Sequence, residues 1–285
     1  MGTSSSYGGP KGALEPDWLD DDEDAAGANS SGDDGAKTDD TDAAEGANDD
    51  KDAPRVVAPP VLPPLGGPRG SFTRFTNSGA RGALSKAISG YAASAGGARG
   101  VVRRMPNSVR TASGVASFAS AFAREGPSEA LRRFDLQNLA GRPALEVFEA
   151  LVDELCPEGG TLDEAVARDA FIEAIAIFAE QDLGNFDELT VDQLDEFLAE
   201  VITGCIIGKV INEIGGNSLH GSVDDNRYRD AETTLRDYAS GAVRDELTRS
   251  FDANRSMAST QMHALIAEIF EDSIAVLQAT LEADA

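Results

Sequence analysis

Four arginines, Arg99, Arg103, Arg104 and Arg110, fall within twelve residues of a chain whose formal charge is −26. Guanidinium groups grip carboxylates and phosphates in a fixed fork, so anion recognition is the chemistry that this spacing suggests. The surroundings sharpen the signal. From Arg55 to Arg124 there are ten Lys or Arg and no Asp or Glu, in a protein with 24 basic and 50 acidic residues in all. Two readings stay open. The basic segment folds against the acidic C-terminal part of its own chain, or it meets an anionic partner, either nucleic acid or an acidic protein face. No aromatic interleaving, zinc-finger spacing or basic heptad accompanies the arginines.

Other residue types that could do chemistry are sparse. Cys156 and Cys205 are too few for a disulfide framework, and no second Cys or His stands near either at ligand spacing. Cys156 precedes Pro157 at an expected helix end, where the dipole disfavours a thiolate, and Cys205 falls on an apolar stripe, so both read as reduced, packed thiols. The two histidines, His220 and His263, lie in separate segments, and "HGSVDD" reads as a polar loop rather than a ligand set. The acidic run "DWLDDDEDAAG" lacks the ligand spacing and closing glutamate of a calcium loop. Neither a phosphate-binding P-loop nor a G-x-G-x-x-G occurs. No catalytic residue, metal or cofactor is indicated, and the expectation is a protein that is not an enzyme.

The elements that must position the arginines can be read from periodicity. Residues 1–53 form an expected disordered tail, since Glu15 to Asp52 hold sixteen acidic residues and two lysines with almost nothing to bury. "PRVVAPPVLPPLGGP" continues it as an extended spacer, and residues 54–78 are assigned as a linker. A helical domain is placed at 79–285, with a basic Ala/Gly-rich part over 79–134 and an acidic core over 141–285. Leu84, Ile88 and Tyr91 predict one helix, and Val109, Ala112, Val115, Ala119 and Phe122 a second, around a Gly-Gly break. Pro143 opens a helix bearing Phe148, Leu151, Val152 and Leu155, which ends near "CPEGG". Capping boxes at "TLDE" (Thr161–Glu164) and "TVDQ" (Thr190–Gln193) start the next two, the latter with Leu194, Phe197, Leu198, Val201, Ile202, Cys205 and Ile206 on one stripe. Two more helices are expected across "DAETTLRDYASGAVRDELTRSF" and through Met262, Leu265, Ile266, Ile269, Val276 and Leu277. No strand is indicated, so the fold class is an all-α helical bundle. The Asp- and Ala-rich, Lys-poor composition resembles cytoplasmic proteins of halophilic archaea, and no apolar run reaches the length of a membrane helix.

Four stretches, "MGTSSSYGGPKG", "YAASAGGARGVVRRM", "GRPALEVFEALVDELCPEGGTLDEAVARDAFIEAI" and "LTVDQLDEFLAEVITGCIIGKVINEIG", resemble the QatB family, the accessory component of Qat antiphage defence systems. "LCPEGGTLDEAVARDA" is the most specific of these. The resemblance implies a non-enzymatic defence component. It also implies partners: an ATPase (QatA), a protein resembling the deazaguanine-forming enzyme QueC (QatC) and a TatD-like nuclease (QatD).

With that resemblance, the N-terminal head acquires a chemical reading. QueC-type enzymes activate a deazaguanine carboxylate as an acyl-adenylate, which ammonia normally attacks. Removal of Met1 would expose Gly2, whose unhindered α-amine, with a pKa of about 8, is far more available at neutral pH than a lysine near 10.4. Gly2 is thus the modification candidate, with Thr3, Tyr7, Gly8 and Gly9 as its recognition element and Trp18 in a docking segment. The same head matches an N-myristoylation pattern, but one acyl chain beside an acidic neighbour anchors poorly. The runner-up reading is a helical module that binds nucleic acid through residues 99–110.

Overall fold

The computed structural model describes residues 64–156, 160–181, 183–216, 225–251, 254–255 and 257–285. The head residues Gly2, Thr3, Tyr7, Gly8, Gly9 and Trp18, the acidic tail and His220 lie outside them. The described residues are helical throughout, with one isolated bridge between Pro143 and Asn185 and no strand. The all-α class read from the sequence is what the structure shows.

The chain opens with α1 (Gly66–Ser78) and α2 (Arg81–Ala95), followed by the short α3 (Ala98–Val102) and the long α4 (Pro106–Glu125). Helix α1 corrects the assignment of residues 54–78 as linker and of 79 as the start of the helical domain. Its Gly/Pro-rich sequence carries Phe72 and Phe75 one turn apart, and both are buried, so tertiary burial overrides weak local propensity. At its end Gly79 takes a positive φ of 67° and donates to the Phe75 carbonyl. The break between α2 and α4 also contains more than two glycines: Gly96 and Gly97, at φ 89° and 90°, turn the chain into α3 before Pro106 opens α4.

Helices α5 (Pro127–Arg133), α6 (Ala144–Leu155), α7 (Leu162–Ala179) and α8 (Val191–Val210) come next. Both capping boxes form: Thr161 accepts from the Glu164 amide, and Thr190 from that of Gln193. Pro143 sits just before α6 rather than within its first turn. Helix α8 runs on into a wide π turn over Ile211–Gly215. Helix α9 (Asp225–Glu246) does the same over Leu247–Phe251, and α10 (Ser259–Ala283) completes the bundle.

Two kinds of contact fix α6, α7 and α8 together. Phe197 of α8 stacks on Phe148 of α6 at 4.3 Å between centroids and meets Phe171 and Phe178 of α7 edge-on at 5.2 and 5.4 Å. Such ring pairs add about 0.5–1.5 kcal/mol each beyond their burial. Beside them, Gly204 and Gly208 of α8 present bare backbone to α7. A Cβ at Gly204 would stand 2.9 Å from that of Ala170, and one at Gly208 would stand 3.0 Å from Val166.

The N-terminus of α4 is closed by a residue from another helix. The Asp163 carboxylate, on the first turn of α7, accepts from the Asn107 amide at 2.6 Å and from the Ser108 hydroxyl at 2.7 Å. Asp163 is buried, and the donors it serves would otherwise lack partners away from water. Asp163→Ala is expected to lower the unfolding free energy by about 3 kcal/mol, combining a lost cap with orphaned buried donors. Asp163→Asn, which keeps one acceptor oxygen, should lose less. Denaturant melts at fixed salt measure both.

Candidate functional site

The four arginines singled out by sequence do not share one face. Arg104 turns inward. Its guanidinium lies 5.7 Å from the centre of the Tyr91 ring and 3.4 Å from Glu213, which the wide turn at the end of α8 carries. Lys209, itself buried, meets the other oxygen of Glu213 at 2.9 Å, and Arg69 of α1 donates to the Glu213 backbone carbonyl at 3.0 Å. Glu213, through its carboxylate and its backbone carbonyl, thus gathers α1, α2, the loop after α3, and α8. Burial foremost, with the Glu213 charge beside it, pushes the Tyr91 hydroxyl well above its usual range.

Arg99 and Arg103 stay exposed on one wall of a groove of about 630 Å³. Val102, Val109, Ala264 and Ala267 lie among its apolar lining, and Glu268, Glu271 and Asp272 of α10 line it as well. His263 lines the same groove with no second histidine among the described residues. Arg110 is exposed on α4 towards the α7 N-terminus, where its charge helps to hold the Glu164 carboxyl low, behind the hydrogen bonds from Thr161. The basic segment therefore folds against acidic elements of its own chain at Arg104, while Arg99, Arg103 and Arg110 remain on the surface.

A second convergence involves residues that periodicity placed only in the core. The Thr111 hydroxyl donates to the Leu155 carbonyl at 3.3 Å, the Cys156 thiol reaches Thr111 at 3.6 Å, and Arg168 caps the Cys156 carbonyl at 2.7 Å. With the Asp163 cap, this binds the end of α6 and the start of α7 to α4. Burial raises the Cys156 thiol, against the Thr111 hydrogen bond, and pushes Cys205 up to about 12. Neither is an activated nucleophile. Among the described residues no group of three His, Cys, Asp or Glu side chains converges as a metal site, and no helix is long and apolar enough to cross a membrane.

The stretch that makes these contacts, 155–170, lies within a family match. The model of the family described as "Qat anti-phage system associated protein QatB" matches residues 96–277. The chain belongs to the QatB family. The match runs from the Gly-Gly break before α3 into α10, so it covers the Asp163 junction, all four arginines and Glu213. Membership makes the protein a component of an antiphage defence system and indicates no catalytic family. No curated protein and no solved structure matches the chain. Within this QatB domain the residues that sequence reasoning missed, Asp163, Glu213 and Lys209, are charged groups turned inward, and only Asp163 left a trace, inside "TLDE".

Charge reversal should separate the arginines of this QatB chain. Arg104→Glu should destabilise the fold by about 2 kcal/mol or more, because it sets a second carboxylate against Glu213 in a half-buried site. Arg103→Glu should change stability by less than about 0.5 kcal/mol. Thermal melts of the two variants distinguish the roles. The Cys205 thiol has an ordinary value of 9.0 and a folded value of about 12, so its contribution is full below pH 9 and is lost as pH rises towards 12. Over that window stability should fall as pH rises, because the unfolded thiol gives up its proton first. Cys205→Ala should flatten that part of the slope in denaturant titrations.

Proposed function

We propose that this QatB protein is a non-catalytic adaptor in the cytoplasm whose N-terminal glycine is the substrate of a QueC-like partner (QatC). The observation that carries the reading is family membership, through 96–277, joined to a head that offers a small second residue and a Tyr-Gly-Gly element. The partner would convert a deazaguanine carboxylate and ATP into an acyl-adenylate and pyrophosphate. The neutral Gly2 amine then attacks the acyl carbon, an amide bond forms, AMP leaves, and the amine gives up a proton to solvent. Thr3, Tyr7, Gly8 and Gly9 would hold the head in the partner's cleft, with Trp18 docking outside it. The helical body serves as the platform for the ATPase (QatA) and the TatD-like nuclease (QatD).

Nucleic-acid binding through Arg99, Arg103, Arg104 and Arg110 ranks second. Arg104 is engaged with Glu213, and Arg99 and Arg103 share their groove with three carboxylates that would repel a phosphate backbone.

Intact-mass measurement of protein co-expressed with its QueC-like partner tests the proposal. An N-terminal peptide lacking Met1 and bearing one acyl group at Gly2 is expected. Gly2→Leu should abolish the shift, by hindering Met1 removal and crowding the amine, while Cys156→Ala and Arg103→Glu should leave it unchanged. Acylation at Lys11 instead would overturn the assignment to Gly2, and an unshifted mass beside an active partner would overturn the substrate role.

A further inference from the structure

Helix α7 is apolar on more of its circumference than the bundle covers. Its inner side, including Ala170, Phe171, Ala174 and Phe178, is buried against α6 and α8. Its outer side carries Leu162 and Ile172, which are 50% and 48% exposed and are the large hydrophobic side chains left so open among the described residues. They stand ten positions apart, which places them about 15 Å apart along the axis and on neighbouring sides of the helix wheel. Ala165, between them, and Ala176, one turn beyond Ile172, are exposed on the same side.

The charges along this strip say what chemistry would cover it. Asp169 stands within the strip itself, next to Leu162 on the wheel, Glu180 points the same way as Leu162, and Glu173 lies just beyond them, all exposed. Glu173 pairs with Arg236 at 2.5 Å, whereas no cation among the described residues pairs with Asp169 or Glu180. On the other side the cation Arg168 is already spent on Asp153 and on the Cys156 carbonyl. A second copy of this chain would bring the same carboxylates and a formal charge of −26 to the contact.

We infer that the outer face of α7 docks a basic amphipathic helix of a partner protein, with Leu162 and Ile172 as apolar anchors and the carboxylates of Asp169 and Glu180 pairing with its Lys or Arg residues. The Asp163 cap fixes α7 against α4, so the face is presented rigidly rather than assembled on binding. This inference does not depend on the modification of Gly2.

A photo-crosslinking benzoylphenylalanine placed at Ile172 of the full chain, co-expressed with the other components of its defence system, tests it. The cross-linked peptide, sequenced by mass spectrometry, should come from a partner and show apolar residues at helical spacing with an excess of Lys and Arg. The same probe at Asp237, exposed on α9, should not capture it. Leu162→Glu should cut the yield at least tenfold without moving the melting temperature, and Asp169→Lys should cut it several-fold. Should Leu162→Glu perturb folding, Asp169→Lys alone decides the point. Capture of a second copy, capture of a neutral or acidic peptide, a yield no higher than at Asp237, or a yield indifferent to Asp169→Lys would each overturn the proposal.

Discussion

One carboxylate sets the frame on which the rest of this bundle depends. Asp163 belongs to the first turn of α7 by sequence, yet its oxygens complete the N-terminus of α4. A buried helix start carries amides that only a distant acceptor can satisfy, and a charged acceptor also meets the positive end of the dipole. Around that bond Thr111 of the same helix donates to the α6 end, and Arg168 of α7 reaches the Cys156 carbonyl at that end. Helix α4 thereby becomes a post to which α6 and α7 are tied, and the phenylalanine cluster carries the order on to α8.

The stretch 155–170, inside the QatB family match, is the one that builds this junction. Its specific residues read as structural on inspection of their partners: Cys156 is a packed thiol, Thr161 a cap, Asp163 a cap for a neighbour, and Arg168 a clamp.

Much of the fold was legible because its signals are local. Both capping boxes and the Phe197 to Ile206 stripe involve residues within a few turns of each other, where propensity and periodicity operate. What was missed is long-range. Helix α1 looked like a linker because glycine and proline are prominent in its sequence, while the burial that stabilises Phe72 and Phe75 is tertiary: α1 packs on α2, on the Ile211–Gly215 turn and on α9. The arginine cluster was visible as a basic segment, but nothing in its spacing distinguishes Arg104, which meets Glu213 more than a hundred residues away, from Arg103, which meets solvent. The head that motivates the modification reading was read from composition and resemblance alone, and it lies outside the described residues.

The wide turn at Ile211–Gly215 carries a consequence for how the chain can vary in length. A π turn holds one residue more than an α turn, and the extra residue is accommodated locally. Deleting a single residue there would restore regular helix but rotate the residues beyond it by about 100° about the axis. Glu213 would swing off Arg104 and Tyr91, and the carbonyl that Arg69 of α1 grips would move with it. Gain or loss of one residue at this point is therefore not neutral: it would break the register between α8 and the groups that Glu213 holds through its carboxylate and its carbonyl.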